Sequence, residues 1–223
     1  MYKFSKRIFD IVASLIACII LAPILLPIVI LLRLTSEGEI FYLQERIGLY
    51  QKPFMIYKFA TMLKNSTKMS GGIITVKNDP RVTFMGGFLR KSKINELPQL
   101  INILMGNMSL VGPRPVMRVS FEAYPLEIQK VIYNVKPGLT GIGSIIFRDE
   151  EELISNIKNN GGDIWEFYKY KIYPFKGELE MWYQNNKSFL LDFKLIFLTA
   201  WVIFYPNSKI YNKWFKDLPK RQF

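Results

Sequence analysis

Asn95 and Glu96 stand side by side in KSKINELPQL, with Pro98 following where a helix would begin. Two readings are open. Asn95 is a helix N-cap with Glu96 and Pro98 in the first turn, or the pair is what remains of a catalytic carboxylate pair. The chain has no histidine, which removes Ser-His-Asp and Cys-His catalysis and every His-ligated metal site. Its one cysteine, Cys18, lies inside an apolar run, so it forms no intrachain disulfide and is a poor thiolate. Ionic chemistry near neutral pH is left to carboxylates, lysines, arginines, hydroxyls or a hard metal ion held by oxygen.

Two further stretches offer charge at useful spacing. SLVGPRPVMR (109–118) joins a Gly-Pro turn to Arg114 and Arg118, and backbone N–H groups beside a guanidinium suit a phosphate. NDPRVTFMGGFLRK (78–91) supplies Asp79, Arg81, Arg90 and Lys91. An arginine-bearing surface loop and a solvated turn before a basic helix face are the plainer explanations of these strings.

The totals say what such residues would meet. Thirty Lys+Arg against eighteen Asp+Glu give a formal charge of +12 over 223 residues. An anionic partner follows: nucleic acid, an anionic membrane surface or a phosphorylated substrate. The aromatics sit mostly in apolar runs rather than between basic residues, so nucleic acid is set aside in favour of lipid.

The elements that must hold these residues begin with an apolar segment. Residues 11 to 32 are 22 apolar or small residues without a charge, long enough for a membrane helix and too long for the core of a usual signal peptide. Pro23 and Pro27 fall within it, and basic residues flank both sides: Lys3, Lys6 and Arg7 before, Arg33 after. These features suit a helix broken near Ala22-Pro23 that re-enters one leaflet with both ends on the cytoplasmic face; a Pro-kinked span fits the pattern about as well. Residues 39 to 60 read as a β-hairpin turning at LYQK. A polar stretch and a short apolar run, IITV (73–76), follow, and 83 to 105 has helical periodicity broken at NELPQ. Residues 123–135 form an amphipathic stretch. KPGLTGIGSIIF (136–147) reads as turn and strand, and RDEEELISNIKNN as a helix with an acidic start. KSFLLDFKLIFLTAWVIFYPN (187–207) reads as a helix at a membrane interface, packed under the first segment, or in an ordinary core. No linker or repeat divides the chain.

The order of these pieces carries a resemblance. After the basic N-terminus and the proline-bearing segment come FYLQERIG, MIYKFATM, DPRVTFMGGFLRK, NELPQLINILMGNMSLVGPRP and VKPGLTG, with KSFLLDFKLIFLTA toward the end. Along nearly its whole length the chain resembles the bacterial sugar transferases of the monotopic phosphoglycosyl transferase family. The resemblance implies a membrane-associated α/β (α+β) protein: a re-entrant helix over 1–35 and a small cytoplasmic catalytic domain over 36–223, of helices around a short antiparallel hairpin. It implies transfer of a sugar-1-phosphate from a UDP-sugar to a polyprenyl (undecaprenyl) phosphate, with Mg²⁺, releasing UMP. That step would begin a surface glycan or glycoconjugate at the cytoplasmic face of the bacterial inner membrane. Lys58, Arg90 and Arg114 fall where the family handles phosphates, Arg81 joins them in the basic string, and Ser109 to Pro115 would wall the pocket. A homodimer is kept open.

The chain departs from the family at its centre. The family motif has an attacking Asp before the Glu; here that position is Asn95, whose amide oxygen is a very poor nucleophile. Asn107 stands where an Asp is usual, Ala60 where an Arg is usual, and TGIGSIIFRDEE replaces a Trp-containing continuation, bringing Asp149, Glu150 and Glu151. Three mechanisms follow. Glu96 becomes the nucleophile; or the lipid phosphate attacks directly while Glu96, with Asp149 or Glu150, holds Mg²⁺; or the chain binds without turnover, as an inactive scaffold subunit. For the acidic run, a helix start is the stronger reading.

Overall fold

The computed structural model describes residues 2–35, 37–66, 69, 75 and 79–223. The apolar run expected at 73–76 lies outside these, Thr75 apart, as does Asn78.

Helix α1 (Tyr2–Thr35) runs unbroken through Ala22, Pro23 and Pro27, which corrects the break expected at Ala22-Pro23. Side chains at i, i+3, i+4 and i+7 share a helix face, and here one such stripe lies against the body from end to end. Arg7 donates to the carbonyls of Ile103 and Leu104 at 2.5 and 2.9 Å, and Asp10 accepts from the Leu110 N–H at 3.0 Å. Ala17, Cys18 and Leu21 pack against Ile56, Leu100 and Ile103; Leu25, Ile28, Val29 and Leu32 pack with Phe59 and Leu89. Both prolines are exposed, among Ile19, Ile20, Ile24, Leu26 and Ile30. Their missing N–H groups therefore fall where the inner packing is not disturbed, and a helix bowed around a core is convex on that outer side.

Strands β1 (Phe41–Ile47) and β2 (Pro53–Phe59) form the expected antiparallel hairpin, with Phe41 opposite Phe59 and Ile47 opposite Pro53. Its tight connection places Tyr50 and Gln51 at positive φ. Helix α2 (Phe84–Lys91), capped by the Thr83 hydroxyl on the Gly86 N–H, leads into a 3₁₀ turn at Ile94–Glu96 and then α3 (Gln99–Met105). Asn102, fully buried on α3, accepts from the Tyr57 N–H at 3.0 Å and donates to the Met55 carbonyl at 2.7 Å. One side-chain amide thus does for the edge of β2 what a third strand would, and it fixes α3 against the hairpin.

Strand β3 (Ser109–Val111) pairs in parallel with β4 (Gly138–Thr140), a two-stranded sheet that sequence pattern does not predict. The strands approach so closely that a Cβ on Gly138 would lie 2.1 Å from the Gly112 nitrogen. Between them come α4 (Arg118–Glu122) and α5 (Leu126–Gln129), short helices where one amphipathic stretch is expected. After β4 the chain turns into α6 (Ile142–Ile146): the strand expected over 136–147 ends at Thr140 because Ile142, Ile145 and Ile146 are buried as a helical face.

The acidic segment opens α7 (Glu150–Asn159) as expected. Helix α8 (Ile164–Phe167) passes through a π-turn at Tyr168–Ile172 into α9 (Tyr173–Asn186), followed by α10 (Phe189–Phe204) and α11 (Tyr211–Trp214). The main core gathers Ile132, Tyr133, Ile142, Ile172, Leu179 and Leu195. Helix α10 buries Leu191, Leu195, Leu198 and Val202 and leaves Leu190, Phe193, Phe197 and Phe204 exposed. Asp192 anchors it beneath α1: it accepts from Lys6 at 2.6 Å and from Tyr2 and Tyr183 at 2.8 Å each.

Candidate active site around Glu96

Three elements bring charge to one point. The 3₁₀ turn supplies Glu96, β2 supplies Lys58, and the loop after β3 supplies Arg114. Arg114 grips the carboxylate with both terminal nitrogens, Nη2 to Oε1 at 2.7 Å and Nη1 to Oε2 at 3.3 Å. Lys58 Nζ lies 3.5 Å from Oε1. The side chains of Lys58 and Glu96 are 16% and 15% exposed, that of Arg114 42%, so the pair is sheltered and its guanidinium faces an opening.

The electrostatics follow from that shelter. Burial alone would raise the Glu96 carboxyl, but Arg114, Lys58 and Lys93 outweigh it and hold the group well below the usual carboxylate range. Burial pushes the Lys58 ammonium down to about 8; Glu96 opposes the shift, and Arg114 and Arg46 add to it. Arg46 is likewise lowered by burial, to about 10, with repulsion from Arg114 contributing. Lys93 is lowered by burial against the pull of Glu96. Four cations therefore surround one carboxylate.

Asn95 does not cap the helix. Lys93 occupies the N-cap position of the 3₁₀ turn, at φ 62°, with no side-chain cap bond, and Pro98 precedes α3. Asn95 lies inside the turn, 8% exposed, and its Oδ1 is buried without a hydrogen-bond partner. The capping expectation fails because the chain turns two residues earlier than Asn95. A buried acceptor left unpaired is uncommon and marks strain or a functional role.

Other expected residues have other partners. Arg81 presents its guanidinium fork to Asp79, Nε to Oδ1 at 2.9 Å and Nη2 to Oδ2 at 2.6 Å, with both residues buried. No contact of Arg81 with Glu96 is seen among the described residues. Arg90 is near enough to help lower Asp79. The Pro115 carbonyl accepts from Arg46 Nη1 at 3.4 Å. Asp149 pairs with Arg221 at 2.9 Å, and Glu150 holds Lys176 at 2.7 Å and the Tyr168 hydroxyl at 2.8 Å. These carboxylates have structural cations, in keeping with the helix-start reading. Among the described residues no group of three or more His, Cys, Asp or Glu could hold a metal ion. The carboxylate on offer for a hard ion at the centre is that of Glu96. Mg²⁺ accepts such a sparse protein set when phosphates and water complete its shell.

Sequence reasoning missed Arg46 and Lys93. Arg46 lies within FYLQERIG, and strand alternation places it on the face of Gln44, to whose Oε1 its Nη2 donates at 2.5 Å. A charged residue on the inward face of a strand was the available signal. Nothing local marks Lys93.

The comparisons agree with this architecture. The family model described as bacterial sugar transferase matches residues 1–206. A UDP-glucose:undecaprenyl-phosphate glucose-1-phosphate transferase of Klebsiella pneumoniae is 36% identical over 208 residues, covering 91% of this chain and 41% of that protein. An undecaprenyl-phosphate galactose phosphotransferase of Salmonella typhimurium is 32% identical over 216 residues, covering 90% and 40%. An uncharacterized sugar transferase of Bacillus subtilis is 36% identical over 195 residues, covering 87% of this chain and 85% of the relative. The chain thus spans about two fifths of the length of the Klebsiella and Salmonella relatives and most of the Bacillus one. With the match running through α1, the Glu96 turn and α10, the chain belongs to the bacterial sugar transferase family.

Proposed function

We propose that the chain transfers a sugar-1-phosphate from a UDP-sugar to a polyprenyl phosphate at the cytoplasmic face of the membrane, releasing UMP and opening the assembly of a surface glycan. One observation carries this reading: Arg114 and Lys58 close on the single carboxylate of Glu96 at 2.7 and 3.5 Å, and Arg46 and Lys93 add positive charge around it. That excess of positive charge in a sheltered site calls for a polyanion, and phosphoryl transfer depends on such neutralisation and positioning. The Klebsiella and Salmonella relatives, by name, act on undecaprenyl phosphate.

The geometry favours direct attack. Both carboxylate oxygens of Glu96 are engaged by the Arg114 fork and Lys58, so it organises cations rather than attacking phosphorus; Asn95 offers an amide. An oxygen of the lipid phosphate forms the new bond to the β-phosphorus, and the bond from that phosphorus to the bridging oxygen breaks. The electron pair leaves with UMP, and the sugar stays on the transferred phosphate. Arg114 and Lys58 hold the donor diphosphate. Mg²⁺, which Glu96 would hold together with substrate phosphates, would add charge neutralisation to the transfer.

Helix α1 supports the location. Its N-terminal end is fastened to α3 and α10, and its C-terminal half to β2 and α2. Both ends therefore belong to one body, while its outer apolar face is exposed for lipid.

UMP release from a panel of UDP-sugars, with and without polyprenyl phosphate, tests the reading. The chain should release UMP only with lipid, and Glu96→Gln should lower the rate by about a hundredfold or more, since it loosens the cations around the transition state. A silent parent whose activity returns in Asn95→Asp would mean a site disarmed at one atom. Silence in the parent, Asn95→Asp and Glu96→Gln alike would favour the scaffold.

A further inference from the structure

The loop that carries Arg114 is held atom by atom from beneath. Gly112 donates to the Thr140 carbonyl at 3.0 Å, and the Pro113 carbonyl accepts from Gly138 at 2.9 Å. The Arg114 carbonyl accepts from the Tyr133 hydroxyl at 2.7 Å, and the Tyr133 hydroxyl oxygen in turn accepts from the Val116 N–H at 3.1 Å. Tyr133 is 1% exposed, and both hydrogen bonds of its hydroxyl go to this loop.

We propose that Tyr133 is a positioning residue for Arg114, its hydroxyl clamping the Arg114 carbonyl to the Val116 N–H so that the guanidinium fork meets Glu96 and the donor diphosphate in one fixed orientation. The role in catalysis rests on the transferase reading; the clamp itself does not. Arg114 has a long, flexible side chain, and a two-pronged grip on a carboxylate tolerates little angular error. Fixing the backbone at the carbonyl of the residue supplies that precision. The arrangement also explains why a tyrosine is needed at 133: phenylalanine would fill the same space but would leave an acceptor and a donor unpaired.

The test uses the full chain in detergent micelles. The exchange of the Arg114 guanidinium Nε–H with solvent, followed by NMR and identified by its loss in Arg114→Lys, reports the grip without any ligand or turnover. Pyrophosphate affinity, by calorimetry, reports its use. Tyr133→Phe should speed exchange and weaken pyrophosphate, each by about tenfold, the size of one or two lost hydrogen bonds. In an Arg114→Ala background, Tyr133→Phe should weaken pyrophosphate no further, as coupled residues do; a purely structural defect would act equally in both backgrounds. Unchanged Nε–H exchange in a folded Tyr133→Phe chain overturns the proposal, as does full additivity with Arg114→Ala. Failure of the transferase reading would show separately, as absent UMP release with the exchange pattern intact.

Discussion

Asn95 holds a buried oxygen with no donor, an arrangement that costs about 1–3 kcal/mol and that an N-cap would have avoided. Its neighbour Glu96 has the opposite situation, with more cations than it can satisfy. Lys58 is the member of that group with a titration in reach, since its ammonium is pushed down to about 8. Below that value it is charged and able to hold phosphate; above it the charge is lost. The apparent second-order rate constant for the UDP-sugar should therefore fall as pH rises through about 8, a profile that reports the free enzyme. Lys58→Arg should keep the site charged and move the fall to higher pH. A rate flat from pH 7 to 10 in the parent would remove Lys58 from donor binding. Lys58, Glu96 and Arg114 were legible in the sequence because motif order marks them. Arg46, Lys93 and the true place of Asn95 were not, because they depend on a strand face and on a left-handed residue at Lys93 that no local pattern announces.

The elements divide by how their contacts are made. The hairpin, α2, α3, α7 and α10 arise from local periodicity and turn chemistry, and all lie where the sequence places them. The pairing of β3 with β4 joins residues about thirty positions apart and only three residues long, so neither strand carries an alternation to read. What the sequence does carry is glycine. With a Cβ on Gly138 set 2.1 Å from the Gly112 nitrogen and 2.4 Å from the Thr140 oxygen, Gly138→Ala must part the two strands. The expected result is a loss of about 1–3 kcal/mol in stability, as for overpacking, and a larger loss of UMP release than stability alone would give, because β3 leads into the Arg114 loop. Thermal unfolding and rate measured on one preparation would check this; unchanged unfolding would mean the strands can part at no cost.

At the scale of the molecule, the charge of +12 and the exposed apolar faces of α1 and α10 describe a body that meets an anionic, hydrophobic surface. The sequence showed both features. It did not show that α1 stays whole and lies along the body, because that depends on partners such as Asp192 and Phe59 far along the chain. The chain's one cysteine makes topology accessible. In a Cys18→Ser background, single cysteines at Lys3 and Glu37 should both react with a membrane-impermeant maleimide from the cytoplasmic side and from neither site outside. Labelling of the two positions from opposite sides would establish a span.

Pro23 and Pro27 have no N–H, so the carbonyls of Ile19 and Pro23 lose the donors they would find four residues on. In hydrocarbon such groups draw their donor from side chains, from a local tightening of the helix or from water. Both prolines face outward, so water is the donor nearest to them, and the two prolines favour a shallow seat for α1. A polyprenyl phosphate approaching along that helix would then carry its headgroup at the level where the helix, too, is best hydrated.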